Sequence, residues 1–292
     1  MRPASWRRVW VLAAATALAG IVLLVMLASG EGKSLAPSAA AAYAPPPANA
    51  KFDYQIGGDY PPPAGVRVVS RDWFSGRPAA GSRYSICYVN AFQTQADEAG
   101  VDRPDEHANW PQNLVLNALG DDPHWGGEYL IDIRNANKRG RAADWVQQMI
   151  QGCADKGFDA VEYDNLDSWT RFDGTPLADD VPFEKPDALA YAKLLANRAH
   201  ALNLAVAQKN TADVTPTQSA NVGFDFAIAE ECSRYSECNR YQHVYGNHVI
   251  EIEYRLEDFR KACRTVGPDI SVVLRDRLVR TPDSPKYVYD AC

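Results

Sequence analysis

The sequence is poor in the residues that usually hold a catalytic metal. It has five histidines in 292 residues, scattered along the chain, and none falls at the end of a strand-like segment. That argues against a metal-assisted deacetylase or phosphodiesterase, which would recruit histidine ligands there. No Cys-x-x-Cys pair occurs, which argues against a zinc ribbon or a redox motif. No glycine-rich fingerprint follows a strand-like segment. Gly57–Gly58 and Gly126–Gly127 read as simple turns, so dinucleotide and P-loop chemistry find no support. Basic charge is also scarce. The formal net charge is −7, and beyond residue 50 the chain carries 26 basic against 36 acidic residues. An acidic body disfavours nucleic acid as a partner and is compatible with a neutral or cationic substrate. There is no internal repeat, and no cysteine follows the N-terminal apolar run closely enough for lipidation, since the first is Cys87.

What is present is ordinary globular material, 46% hydrophobic and 23% charged. Residues 9–28 form a continuous apolar run behind Arg2, Arg7 and Arg8. This reads as a signal peptide or an uncleaved N-terminal membrane anchor, which places the body outside the cytoplasm in either case. We assign residues 1–30 to that segment, 31–50 to an Ala/Pro-rich linker and 51–292 to one folded domain. The six cysteines all follow the export segment and fit an oxidising compartment. They allow three disulfides in fifteen connectivities. Cys232 with Cys238 is the easiest pair, Cys263 with Cys292 would pin the C-terminus to the last helix, and Cys87 with Cys153 is left by elimination.

Strand-like runs occur near 66–70, 84–90, 128–133, 159–164, 204–209, 225–230, 248–254 and 270–275. Helical periodicity fills most gaps, clearest at 141–156, 186–202 and 257–266, with Gly157, Pro186 and Gly267–Pro268 as stop and start signals. Eight strands alternating with helices predict an α/β fold with a parallel sheet. An open doubly wound sheet remains an alternative, but closure into a (β/α)₈ TIM barrel explains the count better.

Active sites of such barrels lie at the C-terminal ends of the strands, and here those ends are polar: Asp132, Asp164 and Asn165, Lys209 and Asn210, Glu230 and Glu231, Glu253. Period-2 alternation points Asp132, Glu162, Asp164, Lys209 and Glu253 into the barrel. On the sixth run, with Phe226 and Ile228 facing the helices, parity selects Glu231. Glu162 reads as a buried partner of Lys209, and Asp167 as a cap or loop former beside the site. Trp73, Trp110, Trp125 and Trp169 lie in loops, where aromatic rings either stack on sugars or pack. Converging carboxylates are the equipment of glycoside hydrolysis.

These segments resemble glycoside hydrolase family 114, the endo-α-1,4-polygalactosaminidases. The resemblance is carried by Ile-Cys-Tyr-Val-Asn-Ala at 86–91, Leu-Ile-Asp-Ile-Arg at 130–134 and Lys-Gly-Phe-Asp-Ala-Val-Glu-Tyr-Asp-Asn-Leu-Asp at 156–167. It continues through Gln-Lys-Asn at 208–210, Phe-Asp-Phe-Ala-Ile-Ala-Glu-Glu-Cys at 224–232, Glu-Cys at 237–238 and Ile-Glu-Tyr at 252–254. It implies a (β/α)₈ barrel that hydrolyses α-1,4-linked galactosamine-containing polysaccharide, with Asp164 and Glu230 as the catalytic carboxylates. Parity keeps Glu231 as a third candidate. Tyr88, Asp132, Asn165, Asp167, Lys209, Asn210 and Glu253 are expected to bind substrate. We expect Asp164 as nucleophile and Glu230 as acid/base in an endo-acting, retaining enzyme, with the swapped roles as the variant. No cofactor or metal is expected, and the protein is expected to be a secreted or membrane-anchored monomer. The alternative is a non-catalytic carbohydrate-binding barrel at the cell surface.

Overall fold

The computed structural model describes residues 43–74, 76–95 and 109–292. Eight parallel strands run in sequence order around a barrel: β1 (Phe52–Gln55), β2 (Val68–Asp72), β3 (Tyr84–Asn90), β4 (Ala160–Asp164), β5 (Ala205–Lys209), β6 (Phe226–Glu230), β7 (Val249–Glu253) and β8 (Ser271–Arg275). A short β9 (Tyr289–Ala291) pairs antiparallel with β8, and the Tyr289 hydroxyl donates to Phe52 O across to β1. The seam between first and eighth strands is also bridged by a fully buried ion pair, Arg275 Nη1 to Asp53 Oδ1 at 3.1 Å. Among the described residues, six helices pack outside: α1 (Ala136–Lys156), α2 (Lys185–Ala201), α3 (Pro216–Val222), α4 (Cys232–Tyr235), α5 (Cys238–Tyr245) and α6 (Leu256–Thr265). The architecture is the predicted TIM barrel.

Local chemistry sets the helix ends. Asn135 caps α1 by accepting from Lys138 N, and Gly157 ends it at φ 84°, a conformation that costs glycine no Cβ clash. Thr215 and Gln218 form a capping box around Pro216 at the start of α3. Three disulfides form, Cys87–Cys153, Cys232–Cys238 and Cys263–Cys292. The first ties β3 to α1 and the last ties α6 to the chain end. Residues 43–50, at the end of the expected linker, pack on the N-terminal end of the barrel. Tyr43 stacks on His200 with centroids 4.2 Å apart, Ala44 O accepts from Tyr84, and Asn49 donates to Pro268 O. The expected export segment at 9–28 lies outside the described residues. Among those described, no helix is long and apolar enough to cross a membrane.

Two expectations about the strands need correction. Residues 128–133 form no barrel strand. They make only isolated antiparallel bridges, Gln93 to Leu130 and Val115 to Ile131. Their apolar side chains answer a demand for burial, since Leu130, Ile131 and Ile133 pack in the layer outside the barrel. The missing strand is β1, whose alternation, Phe-Asp-Tyr-Gln, runs for only four residues. Asp53 and Gln55 are buried, and both are satisfied by arginines, Arg275 for Asp53 and Arg71 for Gln55.

The second correction concerns the facing of β6 and β7. Phe226, Ile228, Ile250 and Ile252 point into the barrel, whereas Ala227 and Ala229 face the helices. The inner positions of β4 and β5 are the small Ala160, Ala205 and Ala207. Large side chains from the neighbouring strands fill that space, as close packing requires. Glu230 therefore points inward without any bulge, and Glu253 points outward.

Candidate active site

The C-terminal ends of the strands open into a cavity of about 1050 Å³. Just beneath its lining stands Lys209, the last residue of β5 and only 1% exposed. Its ammonium lies 2.8 Å from Glu162 Oε1, 3.2 Å from Asp164 Oδ1 and 3.6 Å from Glu230 Oε2. It also donates to the Tyr54 hydroxyl at 3.1 Å. Burial alone would depress the lysine pKa, but the Asp164, Glu162 and Glu230 carboxylates raise it well above the ordinary value. Glu162 is sealed beneath the cavity, where Tyr54 and Ser70 donate to it. It is the buried partner of Lys209, as its position in the strand predicts.

Asp164 and Glu230 line the cavity and are held differently. Asp164 accepts from the Tyr88 hydroxyl at 2.6 Å and from the backbone N–H of Asn165 at 2.8 Å. The second contact depends on Asn165 adopting φ 60°, a left-handed conformation that Asn tolerates better than most residues. Burial would raise the Asp164 pKa, yet Lys209 and the Tyr88 hydroxyl outweigh it and hold the carboxyl below the usual aspartate value. Glu230 is clamped by Asn210, whose amide donates to Oε2 at 2.9 Å and whose Oδ1 accepts from Glu230 N at 2.8 Å. The Tyr254 hydroxyl donates to Oε1. Both carboxylates are thus oriented by side chains on neighbouring strands.

The other expected residues divide into two groups. Tyr88, Asn165, Asp167, Asn210 and Glu231 line the cavity. Asp167 starts the 3-10 turn Ser168–Thr170 and pairs with Arg171 at 3.1 Å, so it is both a loop former and part of the wall. Glu231 sits at the rim, paired with Arg234 at 2.5 Å and Arg277 at 3.9 Å, away from the Lys209 cluster. Of the loop tryptophans, Trp125 and Trp169 line the cavity, whereas Trp110 is buried beside Trp145 and Trp73 packs on Phe74.

Asp132 and Glu253 do not reach the cavity. Asp132 stands at the entry to α1, bound by Arg134 and Lys138, because its segment is not a barrel strand. Glu253 lies between β7 and α4, where it accepts from the backbone N–H of Ser233 and Arg234 beside Glu251. Burial first, then Glu251 alongside, pushes the Glu253 carboxyl up to about 9. The folded state therefore retains a proton that the unfolded chain loses, so stability falls as pH rises from the ordinary 4.5 toward 9. Glu253→Gln is expected to flatten this dependence and to melt above the wild type at the alkaline end. Thermal melts across that range check it, and parallel wild-type and variant curves would contradict it.

Sequence reasoning missed Tyr54, Arg171 and Glu128, and gave no role to Tyr254, which ends the seventh strand-like run. Tyr254 was within reach, as the tyrosine of the Ile-Glu-Tyr block, had the facing of β7 been assigned correctly. Glu128 was concealed in the misassigned strand. Arg171 carries no local signal. Among the described residues, Cys232, Cys238 and Glu251 are grouped at metal-ligand distances. The two sulfurs are bonded to each other, so neither is a free thiolate.

The arrangement of two oriented carboxylates on a barrel floor agrees with what the chain matches. Residues 32–292 match the model of Glycoside-hydrolase family GH114. The chain belongs to that family. It is thus a glycoside hydrolase, built on the barrel its strands predict. No curated protein matches it. Among solved structures, Ega3 of Aspergillus fumigatus in complex with galactosamine superposes with a TM-score of 0.65 at 23% identity, covering 84% of this chain and 96% of that one. The glycoside hydrolase domain of PelA from Pseudomonas aeruginosa gives 0.50 at 12% identity, covering 82% of this hydrolase and 96% of that domain. A glutamate-to-alanine variant of the same PelA domain gives 0.52 at 13%, with the same coverage. At these identities the likeness concerns the fold.

Proposed function

We propose that the protein is an extracytoplasmic, endo-acting retaining hydrolase of α-1,4-linked galactosamine-containing polysaccharide, with Asp164 as nucleophile and Glu230 as general acid/base. The observation that carries this is the single Lys209 ammonium just beneath the cavity lining, in reach of both carboxylates. With distances of 3.2 and 3.6 Å to one nitrogen, the two nearest oxygens are closer together than the sum of those lengths. That limit admits the separation of about 5–5.5 Å that retention uses and excludes all but the lowest part of the gap of about 6.5–9.5 Å that admits an inverting water.

In the first half-reaction Glu230 gives its proton to the leaving glycosidic oxygen while an Asp164 oxygen bonds to the anomeric carbon. In the second, Glu230 takes a proton from water, whose oxygen displaces Asp164. The depressed Asp164 pKa supports the nucleophile's role, which needs the ionised form. The substrate class is supported by family membership, by the galactosamine that Ega3 binds, and by a wall rich in carboxylates. Asp164, Asp167, Asp213, Glu230, Glu231 and Glu237 face the cavity against Arg171, Arg277 and Arg280, a balance that favours a cationic polymer. Three disulfides support an oxidising compartment.

The test is to incubate the purified protein with α-1,4-galactosaminan and follow the new reducing ends by NMR at early times. The α-anomer appearing first supports retention, and the β-anomer first would refute it. Glu230→Gln is expected to lower kcat by about 10²- to 10⁴-fold, and less on an aryl glycoside whose leaving group needs no proton. Equal losses on both substrates would remove Glu230 from the acid role.

A further inference from the structure

Of the cavity-wall carboxyls that take no part in the two-carboxylate chemistry, Glu128 is bonded to the strand beside Asp164. Glu128 is 8% exposed and lines the cavity. Its Oε2 accepts from Asn90 Nδ2 at 3.0 Å. No hydrogen bond joins its Oε1 to any other described residue. Asn90 is the register partner of Asp164 on the adjoining strand, and its Oδ1 accepts from Asn165 Nδ2 at 2.9 Å. Glu128 is therefore fixed one strand away from the candidate nucleophile, with one oxygen free. The sugar position next to the anomeric carbon is C2, which carries the amino group in galactosamine.

We propose that Glu128 is the specificity-determining residue that recognises the free 2-ammonium of the sugar held by Asp164, so that this subsite selects a deacetylated residue over an N-acetylated one. The inference rests on the reading of the substrate above. Burial, with the Asp164 charge adding, pushes Glu128 up to about 8, so the empty site holds a proton there near neutral pH. An arriving ammonium reverses that balance. The proton leaves for solvent, and the resulting carboxylate accepts a charge-assisted hydrogen bond from the –NH₃⁺ group. An acetamide brings no positive charge, so it leaves Glu128 protonated and offers only neutral hydrogen bonding. Nearby Arg171 pairs with Asp122, Asp167 and Asn165, and its charge offsets only part of the upward push on Glu128.

The experiment compares wild type, Glu128→Gln and Glu128→Asp on two defined polymers, fully deacetylated and fully N-acetylated α-1,4-galactosaminan, measuring kcat and KM separately. The wild type should prefer the deacetylated polymer. Glu128→Gln should lose about tenfold or more in kcat/KM on it, mainly through KM, and change little on the acetylated one. Glu128→Asp, which keeps the charge, should retain part of the preference. Equal losses on both polymers would make Glu128 a structural residue and overturn the proposal, as would unchanged selectivity in Glu128→Gln. A wild type that cleaves the acetylated polymer better overturns it while leaving the hydrolase reading intact. A wild type that cleaves neither overturns the substrate reading and this proposal together.

Discussion

Asp164→Asn is expected to lower oligosaccharide release by about four orders of magnitude or more while leaving the fold in place, the scale on which removing a covalent nucleophile acts. Asparagine keeps the shape and can still bond Tyr88, but its amide oxygen is too weak a nucleophile to form the glycosyl-enzyme. The wild-type pH profile should carry the signature of the same group. Lys209 and Tyr88 hold Asp164 below the ordinary aspartate value of 3.8, so its protonation cannot set an acid limb that lies at higher pH. The contribution of this carboxylate to stability is present above 3.8 and is lost only as pH falls through its lower folded value. The measurement is single-turnover release by wild type and variant with circular dichroism as the folding control. Residual activity within tenfold of wild type would exclude Asp164 as nucleophile.

Lys209→Met is expected to remove activity and to destabilise the fold, by about 3–5 kcal/mol if the loss resembles that of other broken buried ion pairs. Methionine fills similar volume but leaves Glu162, Asp164 and Glu230 facing one another without their shared cation. Three carboxylates in so confined a space cannot all remain ionised. Glu162, fully buried, already has its pKa raised by burial, with Lys209 opposing and Asp164 adding. Without the lysine, Asp164 is expected to take up a proton near neutral pH, which disables the nucleophile. Chemical denaturation and activity should fall together, and Lys209→Met with Glu162→Gln should recover stability before activity. If Lys209→Met keeps wild-type stability, the ammonium is not the electrostatic centre of the barrel floor.

Much of this site was legible without coordinates. Asp164, Lys209, Asn210 and Glu230 announce themselves because a polar residue ending an apolar strand run has little reason to be there other than function or capping. The cysteine spacing also favoured the three pairs that form. Glu230 against Glu231 was not decidable by alternation. Parity along Phe-Ala-Ile-Ala-Glu-Glu assumes that the larger side chains face the helices, whereas this barrel interior takes Phe226 and Ile228 because Ala160, Ala205 and Ala207 leave the space open. The family motif named Glu230, and the geometry brings it, not Glu231, to Lys209.

The sequence alone determined the alternation of strands and helices, the apolar N-terminal run, the even set of six cysteines and the cluster of strand-end carboxylates, since each follows from local pattern or composition. Tertiary structure decided which apolar runs became strands, which way β6 and β7 face, and which carboxyls meet the cavity. Those depend on the volumes and charges of residues far apart in the chain. Leu130 and Ile131 find burial outside the barrel, the charge of buried Asp53 is paired by Arg275 arriving from the other end of the chain, and Glu128 is tied through Asn90 to the strand beside Asp164.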